Sequence, residues 1–175
     1  DYLEVIGQQL GVQIQYKTHK DWGTILKWLE NRQVDILANM TPTPERSLKF
    51  HFSDVYLHFP PVVVTNKDFK TIGGLRELTH QTVAVVEGFA EVELLETLFP
   101  RIQLAPYPSA LEKYVAVDQG NVDAVIGTIA GIGFHASTYN LQNLKLAAYS
   151  EASSVGATAI GSRQDWKILS FILNK

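Results

Sequence analysis

The stretch Leu29-Glu30-Asn31-Arg32-Gln33-Val34-Asp35-Ile36-Leu37 returns in pattern as Val117-Asp118-Gln119-Gly120-Asn121-Val122-Asp123-Ala124-Val125. Each copy reads as a helix end, a tight turn, then Val-Asp leading an apolar run of strand character. One copy stands in each half of the chain, which points to two similar α/β lobes. Two unrelated helix-to-strand turns would give the same pattern, so chance recurrence stays open.

Outward from these copies, helix and strand signals alternate. Tyr2, Leu3, Ile6 and Leu10 follow helical spacing, with Gly11 as the stop. Residues 12–16 alternate like a strand. Asp21 is placed to cap a helix carrying Ile25, Trp28 and Leu29, and a strand is expected over 34–38. Val62-Val63-Val64 and Thr82–Val86 read as strands. After Gly88 comes a helix with Val92, Leu95 and Leu98, then a strand over 102–105. Ser109-Ala110-Leu111-Glu112 is a capping box opening a helix to about Asp118. Strands over 122–126, 144–148 and 155–160 follow, with a helix to Tyr139 between the first two. Ser162-Arg163-Gln164-Asp165 would cap a final helix containing Ile168, Leu169 and Ile172. The order predicts an α/β fold in which mostly parallel sheets are flanked by helices.

Composition narrows the function. With 175 residues the chain makes one ordinary domain or two small lobes, and 46% hydrophobic with 19% charged residues suits a packed globular fold. No apolar run approaches the roughly 18 residues of a membrane span. A net charge of −3 without a basic stripe argues against nucleic acid. With no cysteine there is no disulfide, thiolate metal site or Cys nucleophile. Helical character begins at the first residue, so an upstream segment is expected.

The chemistry concentrates in Thr41-Pro42-Thr43-Pro44-Glu45-Arg46, followed by Phe50-His51-Phe52-Ser53-Asp54-Val55-Tyr56. Hydroxyls, loop amides and one guanidinium crowd together where a strand ends, which is where open α/β sheets bind ligands. The planar Arg fork matches a carboxylate with two N–H donors. The same residues also fit a rigid surface turn, with Pro44 opening a short helix.

Together these segments, with Val83-Ala84-Val85-Val86-Glu87-Gly88, Trp22 and Asp1-Tyr2-Leu3-Glu4-Val5-Ile6, resemble the bacterial family 3 solute-binding proteins, of the type II periplasmic "Venus flytrap" fold. The resemblance runs along nearly the whole chain, and the Thr-Pro-Glu-Arg…Phe-Ser-Asp-x-Tyr combination is its most specific part. It implies a two-lobe fold with a ligand cleft between lobes. Residues 1–64 plus 155–175 would form lobe 1 and 67–150 lobe 2, with the hinge near 62–67 and 150–156. The family's first strand and hairpin normally precede the position of Asp1. Phe59-Pro60-Pro61-Val62-Val63-Val64-Thr65-Asn66, Tyr139-Asn140-Leu141-Gln142-Asn143-Leu144-Lys145-Leu146-Ala147, Arg163-Gln164-Asp165-Trp166-Lys167-Ile168-Leu169 and Ile172-Leu173-Asn174-Lys175 are similar to sensor modules of histidine kinases and diguanylate cyclases. The expectation is therefore an extracytoplasmic sensor tethered to the inner membrane, with a transmembrane helix after Lys175. The alternatives are the substrate-binding protein of an ABC-type amino-acid or organic-acid uptake system, and a cyclic-acid dehydratase-like or lytic-enzyme-associated domain. No catalytic residue, cofactor or nucleic-acid partner is expected of the module itself.

The resemblance also implies roles. Arg46 would grip a ligand carboxylate, with Thr41 and Asn39 assisting; Asn39 equally reads as a turn residue satisfying its own backbone. Trp22 would pack on the ligand, or serve the core. In the second lobe, Phe89 and Ala90 stand where amino-acid binders carry Ser or Thr. Backbone amides at Ala90 and Glu91 remain available to an anion, with Phe89 as an apolar wall. Thr128 occupies the place of an Asp that holds an α-ammonium. A Thr cannot neutralise that charge, and a desolvated ammonium without a carboxylate is costly. The expected solute is anionic and not a simple α-amino acid, unless Glu87 supplies the missing carboxylate.

Other signals are weaker. His51, Asp54 and His58 match no compact metal-ligand spacing. Gly131-Ile132-Gly133-Phe134-His135-Ala136 starts too far after its strand for a dinucleotide turn and reads as helix packing.

Overall fold

A computed structural model describes residues 2–19 and 21–174. Asp1 and Lys175, which bound two of the family-like segments, lie outside the described residues. The chain divides into two compact units, Asp1–Leu57 with Thr158–Lys175, and His58–Ala157.

The first unit opens with α1 (Tyr2–Leu10) and α2 (Trp22–Glu30). Asp21 caps α2, its carboxylate accepting from the Thr24 amide at 2.6 Å. Strand β1 (Ile36–Met40), the short helix α3 (Pro44–Ser47) and strands β2 (Phe50–Phe52) and β3 (Leu57–His58) follow. In the second unit come β4 (Pro61–Asn66), β5 (Thr82–Val86), α4 (Ala90–Leu98), β6 (Gln103–Tyr107) and α5 (Ala110–Asp118). They are followed by β7 (Ala124–Thr128), α6 (Ile129–Tyr139) and β8 (Leu144–Tyr149). The chain then returns to the first unit through β9 (Ala157–Arg163) and ends in α7 (Lys167–Ile172).

The α/β class and the two helix-flanked sheets are as expected, but the strand pairing is mixed rather than mostly parallel. In the first unit β9 lies between β1 and β2 and runs antiparallel to both, with Leu37 and Phe52 each opposite Gly161. In the second unit the order is β6-β5-β7-β4-β8. Its β5 is parallel to β6 and β7, whereas β4 is antiparallel to β7 and β8. The cause is the route of the chain. The strand by which the chain enters each unit, β4 in the second and β9 on the return to the first, runs opposite to its paired neighbours β7 and β8 or β1 and β2.

Both faces of the second sheet are covered. Val63, Val83, Val85 and Ile126 pack with Leu95 of α4, while Val62, Val64, Ala84 and Val125 pack with Tyr114 and Val117 of α5. Alternate residues of one strand serve opposite cores, which is why β4 and β5 read as unbroken apolar runs. The first unit's core gathers Leu29, Met40 and Phe50.

The recurrent motif is real at the level of backbone. Arg32 (φ 60°) and Gly120 (φ 73°) occupy equivalent left-handed positions. Asn31 N donates to Lys27 O and Gln119 N to Val115 O; Gln33 N donates to Trp28 O and Asn121 N to Ala116 O. The two copies are one turn built twice.

Three local expectations are corrected. Residues 12–16 form no strand: Val12 and Tyr16 are exposed, and Val12 N turns back to Gly7 O at 2.9 Å. Alternation without a buried face or a ladder partner does not hold a strand. The strands of the repeated motif lie two residues later than expected, at Ile36–Met40 and Ala124–Thr128, because the Val and Asp of each copy belong to the turn. The final helix lacks the expected cap: Ser162 lies within β9, and Asp165 instead accepts from Arg163 at 3.1 Å.

Candidate functional site

In the first unit the site is built where β1 ends. Thr43 caps α3 through its hydroxyl, which accepts from Arg46 N at 3.2 Å, and Pro44 supplies the first helical residue. This cap fixes the backbone of Arg46, whose side chain is only 9% exposed. Its Nη1 donates to Thr41 O at 2.9 Å, and its guanidinium carbon lies 5.8 Å from the Trp22 ring centroid. The structure therefore brings Arg46, Thr41 and Trp22 together. A planar cation set against an indole and hydrogen-bonded to the carbonyl just after a strand has little freedom to rotate. Trp22 also packs against the core of Leu29, Met40 and Phe50. Asn39 lies in β1 and is exposed.

In the second unit Glu87, Phe89 and Ala90 follow the end of β5, and Thr128 ends β7. Because β5 and β7 pair in parallel, with Ala84 opposite Val125, these residues share one edge of the sheet. Phe89 stands at the N-cap position of α4 and is half-buried, Ala90 is buried and Glu87 is exposed. Thr128 caps α6, its hydroxyl accepting from Gly131 N at 3.1 Å.

Behind this edge lies a buried charged group that sequence reasoning missed. Glu91 and Lys113 are each 4% exposed and form an ion pair at 2.8 Å. Tyr114 lies beside it, and the Tyr114 ring is 4.9 Å from that of His135. Burial, reinforced by the Glu91 carboxylate, drives the Tyr114 hydroxyl well above its ordinary range, so it stays protonated. Burial and then the Lys113 charge hold His135 below its usual value of 6.5, which favours the neutral ring. The signal in the sequence was a lysine in register with Tyr114, Ala116 and Val117 on the apolar face of α5.

Tyr56 and His58 have structural partners. The Tyr56 hydroxyl donates to Ala38 O at 2.5 Å, and His58 Nε2 lies 3.0 Å from Ser153 O. Among the described residues no group of three His, Cys, Asp or Glu is arranged to hold a metal ion, and no helix is long and apolar enough to cross a membrane.

Comparison with known proteins identifies the family and the fold. The family model of bacterial extracellular solute-binding proteins, family 3, matches residues 1–144. The arginine-binding extracellular protein ArtP of Bacillus subtilis is 29% identical over 170 residues, which cover 94% of this chain and 65% of that protein. The virulence sensor protein BvgS of Bordetella pertussis is 24% identical over 165 residues, covering 94% of this chain but 13% of the sensor. The chain thus spans less than two thirds of either relative. The crystal structure of the BvgS periplasmic VFT2 domain superposes with a TM-score of 0.84 at 21% identity, covering 98% of this chain and 73% of that one.

Proposed function

We propose that this chain, which belongs to the bacterial extracellular solute-binding proteins of family 3, is the solute-binding component of an ABC-type uptake system for amino acids or organic acids. The family and fold are those of an extracytoplasmic ligand-binding module rather than an enzyme. The observation that carries the reading is Arg46: a buried guanidinium whose backbone is set by the Thr43 cap and whose side chain is set by Thr41 and Trp22. In this reading Arg46 takes the carboxylate of a small solute, with Thr41 and Asn39 beside it and Trp22 against its body. Glu87, Phe89, Ala90 and Thr128 supply the second unit's contacts.

Thr128 narrows the solute. Its hydroxyl carries no charge to neutralise an α-ammonium, so a solute without one fits better than an amino acid. Uptake is favoured over sensing because ArtP shares higher identity, 29% against 24% for BvgS. The sensor reading keeps one specific support, the 24% identity to BvgS over 94% of this chain. In either case the partner is membrane-associated: a transporter, or signalling domains in the same chain.

A thermal-shift panel of glutarate, succinate, benzoate, L-glutamine and L-arginine tests the reading on wild type, Arg46→Ala and Thr128→Asp. At a hundred times its Kd a true solute stabilises wild type by about 2.7 kcal/mol, or roughly 5–10 °C for a chain of this size. Arg46→Ala should lose the shift with carboxylates, and Thr128→Asp should gain one with L-glutamine or L-arginine. A carboxylate that protects Arg46→Ala as well as wild type would refute the assigned site.

A further inference from the structure

We propose that Glu91 and Lys113 are positioning residues for the second unit's solute contacts, an inference that rests on the solute-binding reading above. Lys113, on α5, places all three ammonium protons on fixed acceptors: Glu91 Oε1 at 2.8 Å, Glu91 Oε2 at 2.9 Å and Ile126 O at 2.9 Å. Glu91 Oε1 also accepts from Val86 N at 2.8 Å. One ion pair thereby ties the first turn of α4, the last residue of β5, the middle of α5 and the middle of β7. Between Val86 and Glu91 runs the turn that carries Glu87, Phe89 and Ala90; two residues beyond Ile126 stands Thr128. These tethered backbone groups flank the segments to which the solute reading assigns contacts, and the pair holds the segments in register with each other.

Stability alone does not account for the pair. Removing two charges from water is expensive, and well-packed apolar residues in place of a buried ion pair often leave a protein as stable or more so. Apolar residues in these places would fill the space but leave Val86 N and Ile126 O without their side-chain partners. Nor is the pair a direct ligand: both residues are 4% exposed and the lysine's donors are saturated. What remains is directional hydrogen bonding, which fixes backbone position in a way that dispersion contacts cannot.

The test uses the full chain carrying Glu91→Met with Lys113→Met, read by unfolding midpoint, amide hydrogen exchange and binding of glutarate as probe. The midpoint should fall modestly, since Val86 N and Ile126 O lose their side-chain partners, while exchange over residues 86–92 and 125–129 quickens about tenfold or more and exchange elsewhere changes far less. Glutarate affinity should fall about tenfold to a hundredfold, the range seen when groups that orient binding residues are lost. Unchanged exchange in those two segments overturns the assignment whatever the solute data show, and so does faster exchange with glutarate affinity equal to wild type. Should the double variant not fold, Glu91→Gln carries the same measurements, since it keeps an acceptor for Val86 N but breaks the two-pronged hold on Lys113. Failure of wild type to bind any member of the acid panel would count against the solute reading, and the exchange measurement, which needs no solute, would still decide the pair.

Discussion

Gly127 precedes Thr128 in β7, and a methyl group there would collide with the Tyr114 hydroxyl and stand 3.1 Å from its Cζ. Tyr114 is 3% exposed and packs with Val62, Val64, Val117 and Val125, while its ring faces His135 at 4.9 Å. The ring has no open side to move into, so Gly127→Ala must displace either α5 or the end of β7. Forcing a methylene into such a core lowers stability by about 1–3 kcal/mol, and we take about 2. Tyr114→Phe alone should lose about 1 kcal/mol or less, since it removes one oxygen and leaves the ring in place. In the double variant the main collision is gone and only the Cζ contact of 3.1 Å remains, which a few tenths of an ångström relieve. The two losses should therefore not add: the double variant should sit about 1 kcal/mol below wild type rather than about 3, a coupling of about 1–2 kcal/mol. Urea unfolding followed by far-UV circular dichroism reads this directly, because 2 kcal/mol moves the midpoint by about 1 M at a typical slope. Trp22, Trp28 and Trp166 all belong to the first unit, so tryptophan fluorescence serves as the reference for the unit left untouched. Additive losses, or a Gly127→Ala midpoint equal to wild type, would refute the argument that the Tyr114 hydroxyl dictates glycine at the end of β7.

Two further outcomes are expected. Asp21 is held below its ordinary value of 3.8, first by its hydrogen bond with the Thr24 side chain and then by the Thr24 amide, so its cap stabilises the fold fully above 3.8 and loses that effect as pH falls through the lower folded value. The advantage of wild type over Asp21→Ala in thermal unfolding should be greatest at neutral pH and shrink as pH falls below 3.8; an advantage that does not shrink in acid would count against the ionised cap. At the repeated turn, Arg32→Gly should raise stability by up to about 1 kcal/mol by relieving a left-handed backbone, and the exposed contact it gives up with Asp165 (3.4 Å) adds little. Gly120→Ala should lower stability by about 1 kcal/mol, and urea midpoints that move both variants the same way would contradict the equivalence of the two turns.

What the sequence determined by itself was local or repeated: the Asp21 and Ser109 caps, the apolar runs of β4 and β5, the twice-built turn at Arg32 and Gly120, and through them the α/β class and the family. These depend on neighbours a few residues apart, where dihedral preference and hydrogen-bond reach leave few choices. The Arg46 motif was legible for the same reason, since Thr43, Pro44 and Arg46 form one turn. Tertiary structure decided the rest. Only the fold could set Gly161 opposite both Leu37 and Phe52, lay Arg46 against Trp22, or bring Lys113 to Glu91 and Ile126. Those contacts join groups that are distant along the chain, and burial gives them their strength: a lysine among apolar neighbours is an anomaly in the sequence until the packed interior shows which carboxylate and which carbonyl it was placed to meet.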